Sequence, residues 1–225
     1  MFCRNCKNKL SNEIINLGVM APSNSYVSHL NLRKKQKEYP LIVLLCEKCW
    51  LVQTKDFAKK EEFFSSSYAY FSSTSKSWLD HAKKYVEKII KTQKLNKKSF
   101  VIEIASNDGY LLKNFVKKKI PCLGIEPTYS TAKKAEKIGI KCEKIFLTKN
   151  SSLQLLKKYK KANLIIGNNV YAHVPDINDF TSAIENLLDN EGVVTLEFPH
   201  LLNLLKYNQF DTIYHEHFSY FSLIT

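Results

Sequence analysis

The strongest constraint on the fold is the alternation of short apolar runs with amphipathic segments between residues 100 and 198. Apolar runs of this length, bounded by turn residues, are typical of strands buried in a sheet. Strands that alternate with helices form a parallel sheet with helices on both faces. The sequence therefore predicts a doubly wound α/β domain with strands at residues 100–104, 122–126, 140–147, 162–167 and 192–198.

Segments with helical periodicity separate these strands. Residues 130–138 are predicted to form a helix that Gly139 ends, because glycine readily adopts the left-handed conformation that follows a helix. Before the first strand, an amphipathic pattern places Trp78, Tyr85 and Ile89 on one helical face. The predicted helices are residues 76–94, 111–116, 130–138, 151–160 and 176–189.

Two CxxC pairs near the start indicate a metal site. Cys3 with Cys6 and Cys46 with Cys49 can supply four thiolates, the ligand set of structural zinc. Residues 11–40 must then form a loop or hairpin that returns to the first pair. A redox CxxC would need a thioredoxin-like βαβ context, which the surrounding residues lack. The remaining thiols, Cys122 and Cys142, are interpreted as core residues.

Composition bounds the possible partners. The 225 residues carry 34 Lys and Arg against 21 Asp and Glu, a net charge of +13. Arg4 and Arg33 are the only arginines, whereas nucleic-acid readers depend on arginine. We therefore favour a solvated lysine surface over nucleic-acid binding, although a positive field can attract an anionic substrate. With no apolar run of about 18 residues and no signal peptide, a cytoplasmic protein without a membrane span is expected.

An aromatic and hydroxyl-rich segment, residues 63–75, precedes the first predicted helix. Its serines can cap that helix, which favours a linker. Its closely spaced aromatics, Tyr70 among them, are unusual in a solvated linker, so the segment can also line a site. We predict three parts: a zinc-binding lobe (1–58), this segment with its connecting helix (59–97) and a cofactor-binding α/β domain (98–225).

Polar side chains follow the predicted strands, where doubly wound domains bind cofactors. Glu103 lies at the end of the first strand, and the turn 105–109 follows that strand. Glu126 ends the second strand, and Asn168, Asn169 and His173 follow the fourth. The turn carries one glycine where a dinucleotide fingerprint needs three, which disfavours NAD. An acid about 20 residues after the turn suits a ribose diol. An adenosine cofactor without a pyrophosphate, such as S-adenosylmethionine, fits this pattern.

The segment 211–221 is the most chemically dense part of the chain. Tyr214, Glu216 and His217 offer a phenol, an orienting carboxylate and a general base with a near-neutral pKa. A metal site here is disfavoured because His215 and His217 would point to opposite sides of an extended segment. The cluster favours catalysis over a purely structural role.

The chain resembles the sugar C-methyltransferase family over essentially its whole length. The shared motifs, in order, are two CxxC pairs, YAYFSSTS, VIEIASNDGYLL, GIEP, NNVYAHVPD, EFPHLLNLL and YHEHFSYFSL. The resemblance implies a Rossmann-like class I methyltransferase with a mostly parallel sheet, preceded by a small zinc-binding lobe. It also implies S-adenosylmethionine and structural Zn²⁺ as cofactors, and a nucleotide-linked 4-keto deoxysugar as substrate.

The resemblance assigns roles by position. The implied zinc ligands are Cys3, Cys6, Cys46 and Cys49. The implied cofactor pocket, with the neighbouring residues of the same turns, is Glu103, Ala105, Ser106, Asn107, Asp108, Gly109, Glu126, Pro127, Asn168, Asn169 and Val170. The implied substrate side is Tyr70, His173, Tyr214, Glu216 and His217, with His217 as the base.

The implied reaction is methylation at carbon 3 of the sugar. The ketone at carbon 4 acidifies the proton on carbon 3, so a base can form an enolate that attacks the methyl donor. Members of the sugar C-methyltransferase family continue through a further C-terminal region, whereas this chain ends at Thr225. We therefore expect an incomplete sheet and the possible need of a separate C-terminal polypeptide. The alternatives are a non-catalytic or split-subunit binding protein and, more remotely, an RNA methyltransferase.

Overall fold

The computed structural model describes residues 1–24, 26–57 and 70–225, so most of the aromatic segment that precedes the first long helix lies outside the described residues. The strands are β1 (Asn12–Met20), β2 (Tyr39–Leu45), β3 (Val52–Thr54), β4 (Val101–Ile104), β5 (Cys122–Ile125), β6 (Cys142–Glu143), β7 (Ala162–Asn168), β8 (Leu188–Glu197) and β9 (Ser219–Tyr220). The α-helices are α1 (Lys76–Thr92), α2 (Leu112–Lys117), α3 (Tyr129–Lys137), α4 (Lys149–Leu156), α5 (Ile177–Leu187) and α6 (Leu201–Lys206).

The chain divides into two compact units that interleave along the sequence. Among the described residues, the first unit comprises residues 1–57, Asn169–Asn178 and Glu197–Thr225. The second comprises residues 70–168 and 179–196. The division into residues 1–58, 59–97 and 98–225 stays a prediction.

The first unit contains a four-stranded sheet in the order β1-β2-β3-β9. Its neighbouring strands are antiparallel, and β1 pairs with β2 from Asn12 opposite Leu45 to Met20 opposite Tyr39. The stretch between the two CxxC pairs therefore forms a hairpin, as predicted. The pairing of β9 with β3 was not predicted from the sequence, and it joins the histidine-rich segment to the cysteine-bearing unit.

The second unit contains a five-stranded sheet in the order β6-β5-β4-β7-β8. The pairs β4–β5, β4–β7 and β5–β6 are parallel, which confirms the predicted α/β class. All four residues of β4 are buried, as a strand covered on both faces requires. The two strands that pair with β4, namely β5 and β7, lie where the sequence predicted strands.

Two predicted strands differ from the observed ones. β6 is limited to Cys142–Glu143, although residues 140–147 were predicted. Ile140 and Leu147 are buried, so their apolar character reflects core packing outside the strand. β8 begins at Leu188, directly after α5 and ahead of the predicted start at residue 192.

Helices α1, α2 and α3 contribute residues to one buried hydrophobic cluster of the second unit. Ser75 caps α1 by accepting a hydrogen bond from the backbone N–H of Trp78, which confirms a serine cap. Ala82, Val86 and Ile89 of α1 are buried in a cluster that also contains Leu111. Across the described residues, no helix has the length and apolar character needed to cross a membrane.

Candidate functional site

The four cysteines of the first unit are held by two loops of the same shape. In each loop the residue after the CxxC pair, Lys7 or Trp50, has a positive φ, and its N–H bonds to the carbonyl of the first cysteine of that pair. Cys3 N–H also bonds to Asn8 O at 2.8 Å. Such turns direct both thiols of each pair to the same side, as zinc-binding CxxC loops require.

The sulfur positions fit a tetrahedral zinc ion. The four ligand atoms lie within 4.8 Å of one another, and the Sγ atoms are 3.6 Å apart for Cys3–Cys49 and 3.5 Å for Cys6–Cys46. Zn–S bonds of about 2.3 Å in a tetrahedron place sulfurs about 3.8 Å apart. These separations far exceed the S–S bond of a disulfide, and all four cysteines are free thiols.

Hydrogen bonds favour a thiolate at one of these positions. Burial raises the pKa of the Cys3 thiol, but donors outweigh burial and lower this pKa to about 7. The donors are the Gln53 side chain and the backbone near Cys6 and Asn5. Burial raises the pKa of Cys49 to about 12, and its partly buried thiol needs a metal to deprotonate at neutral pH.

In the second unit, a carboxylate fixes the loop that follows β4. Glu126 accepts hydrogen bonds from the backbone N–H groups of Asn107 and Thr128, both at 2.9 Å. Ala105 and Asn107 adopt positive φ values of 54° and 48° in this loop. The ends of β4 and β5 are thereby held together, which places the predicted acid beside the predicted turn.

Several polar atoms at this edge are buried and have no hydrogen-bond partner among residues 1–24, 26–57 and 70–225. They include both carboxylate oxygens of Glu103, the hydroxyl of Ser106 and Oδ1 of Asp108. Burial, with the nearby Glu126 and Asp108 charges, raises the pKa of Glu103 well above its usual value. Orphaned acceptors of this kind fit a ligand that brings hydroxyl or ammonium donors, as S-adenosylmethionine does.

The side chains of Asn107 and Asp108 contact the residues that precede α1. Asn107 Oδ1 accepts from Ser72 N–H at 3.0 Å and its Nδ2 donates to Tyr70 O at 3.2 Å. Asp108 Oδ2 accepts from the hydroxyl of Ser73 at 2.5 Å. The two turn residues therefore anchor residues 70–73 to the cofactor-side loop, a role that the sequence did not reveal.

In the first unit, His217 and Tyr214 form a hydrogen-bonded pair. Nδ1 of His217 lies 2.8 Å from the carbonyl oxygen of Thr212, and Nε2 lies 2.7 Å from the hydroxyl of Tyr214. A carbonyl can only accept, so Nδ1 carries the proton and Nε2 accepts from Tyr214. Burial lowers the pKa of His217 to about 4, which keeps this ring neutral at physiological pH.

His173 packs against this pair. Its ring centroid is 4.6 Å from that of His217, and its Nδ1 lies 3.0 Å from Glu216 O. Burial, with the proximity of His217, lowers the pKa of His173 to about 3. Two neutral imidazoles and a phenol thus lie together in a buried, weakly screened cluster.

The Glu216 carboxylate has partners from the start of the chain. Its Oε1 accepts from Ser23 Oγ at 2.9 Å and Asn24 Nδ2 at 3.2 Å. Burial raises the pKa of Glu216, and these two donors oppose that rise. The orienting group at His217 is the Thr212 carbonyl. Neither Ser23 nor Asn24 carried a sequence signal, because they lie 193 and 192 residues from Glu216.

The predicted site residues fall into both units. The first unit holds the four cysteines, Asn169, Val170, His173, Tyr214, Glu216 and His217. The second holds Tyr70, whose side chain is exposed, and the cofactor-side residues Glu103, Ala105, Ser106, Asn107, Asp108, Gly109, Glu126, Pro127 and Asn168. Asn169 has a φ of 50° and its N–H bonds to Glu197 O at 2.7 Å.

Known protein families match both parts of this chain. A family described as a proposed zinc binding domain matches residues 3–64. A family described as a methyltransferase domain matches residues 77–224. The chain belongs to this methyltransferase family. The four-cysteine site and the α/β sheet are therefore the two parts that a zinc-bearing methyltransferase would contain.

A curated relative and solved structures agree with this family. C-methyltransferase NovU of Streptomyces niveus is 33% identical over 185 residues, which cover 82% of this chain and 44% of that protein. The chain thus spans less than half of the length of that methyltransferase.

Solved structures of methyltransferases are similar to this chain at low sequence identity. An S-adenosylmethionine-dependent methyltransferase from Archaeoglobus fulgidus has a TM-score of 0.52 at 15% identity, over 64% of this chain and 63% of that chain. One from Clostridium acetobutylicum has a TM-score of 0.48 at 14% identity, over 57% and 54%. The Archaeoglobus structure supports the Rossmann-like class of the second unit.

Proposed function

We propose that this chain acts as an S-adenosylmethionine-dependent C-methyltransferase on carbon 3 of a nucleotide-linked 4-keto deoxysugar, through an enolate. The observation that carries the proposal is the hydrogen-bonded pair of Tyr214 and the buried His217 in a chain of the methyltransferase family. Carbon–carbon bond formation needs a base that removes a carbon-bound proton, and many methyl transfers to oxygen or nitrogen need none. The similarity to a C-methyltransferase points the same way.

His217 is proposed as the base because its tautomer is fixed by its partners. With the proton on Nδ1 held by Thr212 O, Nε2 carries the lone pair. The Tyr214 hydroxyl at 2.7 Å can pass its proton to Nε2 as its oxygen takes the proton from carbon 3. Substrate can instead displace the phenol and meet Nε2 directly. In both cases His217 receives the positive charge.

A phenol and a histidine can stabilise the oxygen of the enolate. The electron pair of the broken C–H bond moves onto the carbonyl oxygen at carbon 4, which then needs hydrogen-bond donors. Tyr70, Tyr214 and His173 are the proposed sources. The cluster around His217 is buried, so such hydrogen bonds are weakly screened there.

The cofactor is proposed to bind at the edge formed by β4 and β5. S-adenosylmethionine, when bound, supplies an electrophilic methyl group. We propose that the Glu103 carboxylate, which has no partner among the described residues, accepts a hydrogen bond from the cofactor. The Ser106 hydroxyl is proposed to donate one to it, and Glu126 to face its ribose. The remaining proposed contacts are Ala105, Asn107, Asp108, Gly109, Pro127, Asn168, Asn169 and Val170.

Calorimetry tests the cofactor assignment. The zinc-loaded protein is expected to bind S-adenosylmethionine, and Glu103→Gln and Glu126→Gln are each expected to weaken binding about tenfold or more, the cost of a lost charged hydrogen bond. A folded, zinc-loaded protein that shows no binding contradicts the proposal.

Isotope exchange tests the base. In D₂O, the protein is expected to catalyse exchange of the carbon 3 proton of the keto-sugar nucleotide. His217→Asn and Tyr214→Phe are expected to slow exchange and methyl transfer by about 10²–10⁴-fold. His215→Asn is the matched control, because His215 is equally buried but bonds to Tyr39 O. Equal exchange rates in the His217→Asn and His215→Asn variants would contradict the assignment of His217 as the base.

A second candidate function is a binding subunit that is inactive alone. The match covers 44% of NovU, so the exchange assay must ask whether residues 1–225 act alone. This candidate predicts S-adenosylmethionine binding without proton exchange, and activity only when a second polypeptide is supplied. The same exchange assay separates the two candidates.

A further inference from the structure

Strand β3 connects the four-cysteine site to His217 within the first unit. It begins three residues after Cys49, and the side chains of all three of its residues are buried. On one side β3 pairs with β2, and on the other with β9, where Gln53 is opposite Ser219. The strand therefore lies between the metal-binding loops and the segment that carries the proposed base.

The amide of Gln53 is oriented toward a metal ligand. Its Oε1 accepts from the backbone N–H of Arg4 at 3.0 Å and from Arg4 Nη1 at 3.3 Å. Arginine can only donate, so the oxygen must face Arg4 and the NH₂ group must face Cys3 Sγ, at 3.3 Å. Gln53 is 0% exposed, so no water competes for this N–H···S hydrogen bond.

Arg4, which lies between Cys3 and Cys6, stabilises this arrangement. Its side chain is buried, with Nη1 donating to Thr54 O at 3.1 Å and Nη2 paired with Asp56. The guanidinium also lies over the ring of Phe218, 5.2 Å from its centroid. The Arg4 side chain thus contacts β3, Asp56 just beyond this strand, and Phe218, the residue next to His217.

Thr54 holds the backbone of the proposed base. Its Oγ1 donates to His217 O at 3.0 Å, and its N–H donates to Phe218 O at 3.1 Å. Phe218 N–H in turn donates to Ala172 O at 2.8 Å. Three hydrogen bonds therefore fix consecutive peptide groups at His217 and Phe218, and the ring of His217 extends from this fixed backbone.

We propose that Gln53 and Thr54 are paired positioning residues, so that a metal bound by the four cysteines fixes the place of the His217 ring. Gln53 orients the Cys3 sulfur, and Thr54 orients His217. A metal ion that holds Cys3 holds Gln53 through the hydrogen bond to sulfur, and Gln53 and Thr54 are consecutive in one strand. The importance of the link to catalysis rests on the proposed role of His217.

Zinc affinity tests the first half of the link. In competition with a chromophoric chelator, Gln53→Ala is expected to weaken Zn²⁺ binding about 10–100-fold, the usual effect of losing a partner of a metal ligand. Asn12→Ala is the matched control, because its amide bonds to Glu47, which lies inside the second CxxC pair, but at an exposed site. Unchanged zinc affinity in Gln53→Ala overturns the proposal.

Nitrogen NMR of the His217 ring tests the second half. The zinc-loaded protein is expected to show the Nδ1–H tautomer alone, and both zinc removal and Thr54→Val are expected to give mixed tautomers. Thr54→Ser, which keeps the hydroxyl, is expected to restore the single tautomer. A His217 tautomer that is unchanged in both Thr54→Val and the zinc-stripped protein overturns the proposal.

Hydrogen exchange keeps the proposal testable if the zinc-stripped protein unfolds. In zinc-saturated Gln53→Ala, the Thr54 amide is expected to exchange at least tenfold faster than in the wild type, and in Asn12→Ala at the wild-type rate. Equal exchange in all three proteins counts against the link. None of these measurements uses methyl transfer, so a failure of the proposed reaction leaves their outcome unaffected.

Discussion

At the scale of single residues, His173 and His217 make the stability of this protein sensitive to acid. His173 and His217 have pKa values lowered to about 3 and about 4, chiefly by burial, against about 6.5 in an unfolded chain. Between these values and pH 6.5 the unfolded state binds more protons than the folded state. Stability must therefore fall as the pH drops from 6.5 toward 4.

The acid response can be measured by urea unfolding at pH 6.5 and pH 5. Each buried histidine is expected to cost about 1.5 kcal/mol over this interval. His217→Asn should lose less stability on acidification than the wild type by about that amount. His29→Asn, at an exposed position, is the control. The raised pKa values of Glu103, Glu126 and Glu216 increase the stability of the folded state as the pH falls. This contribution is common to all three proteins, so it cancels in the comparison. Identical losses in wild type and His217→Asn would contradict the assignment.

Residue types were easier to predict from the sequence than residue partners. The chemically dense run of Tyr214, Glu216 and His217 was visible, and the structure brings the side chains of Tyr214 and His217 together with that of His173. The Glu216 carboxylate instead bonds to Ser23 and Asn24. The carbonyl that orients His217 belongs to the backbone of Thr212, and any residue type could supply it. No side-chain pattern could have identified that partner.

At the scale of elements, the apolar runs located β4, β5 and β7 because nearly all residues of these three strands are buried. The same reasoning missed β9, a strand of only two residues, Ser219–Tyr220. Its pairing with β3 depends on contacts between distant parts of the chain. Short edge strands carry too few residues for a period to be recognised.

Two glycines with left-handed backbones offer a test of packing in the second unit. Gly109 and Gly139 have φ values of 78° and 82°. A Cβ at Gly109 would lie 2.3 Å from Ile140 Cδ1 and 3.1 Å from Ala135 Cβ, whereas a Cβ at Gly139 would meet nothing within 4 Å. The loop after β4 can therefore pack closely only without a side chain at residue 109.

Alanine substitution separates backbone strain from packing. Gly139→Ala is expected to cost about 1–2 kcal/mol, the strain of the left-handed region. Gly109→Ala is expected to cost about 1–3 kcal/mol more, because the added methyl overpacks the site. Chemical denaturation measures both. If the two variants are equally stable, the close approach of Ala135 and Ile140 has no energetic weight.

At the scale of the whole molecule, the two units are stabilised by different interactions. The second has a hydrophobic core built around α1, α2 and the parallel sheet. The core of the first includes the cysteines themselves, with Leu10, Leu44 and Leu51. Structural zinc binding contributes about 10–16 kcal/mol in small domains, as much as the total stability of a typical domain.

Chelation of zinc is therefore expected to affect the units unequally. Hydrogen exchange read by mass spectrometry should show faster exchange in peptides of residues 12–54 and 213–221. Peptides of residues 101–125 should exchange at nearly their original rate. Re-addition of Zn²⁺ should restore slow exchange in the peptides of residues 12–54 and 213–221. Equal acceleration in all peptides would show that the metal supports both sheets alike.

The pairing of β3 with β9 has a consequence for synthesis on the ribosome. Val52 leaves the exit tunnel well before its partner Tyr220 is added to the chain. Strand β3 therefore stays unpaired on one side while residues 101–168 emerge and can already form the parallel sheet. We therefore expect the sheet of the first unit to be completed after the parallel strands β4, β5 and β7 have paired, and nascent chains halted before residue 219 to depend on chaperones.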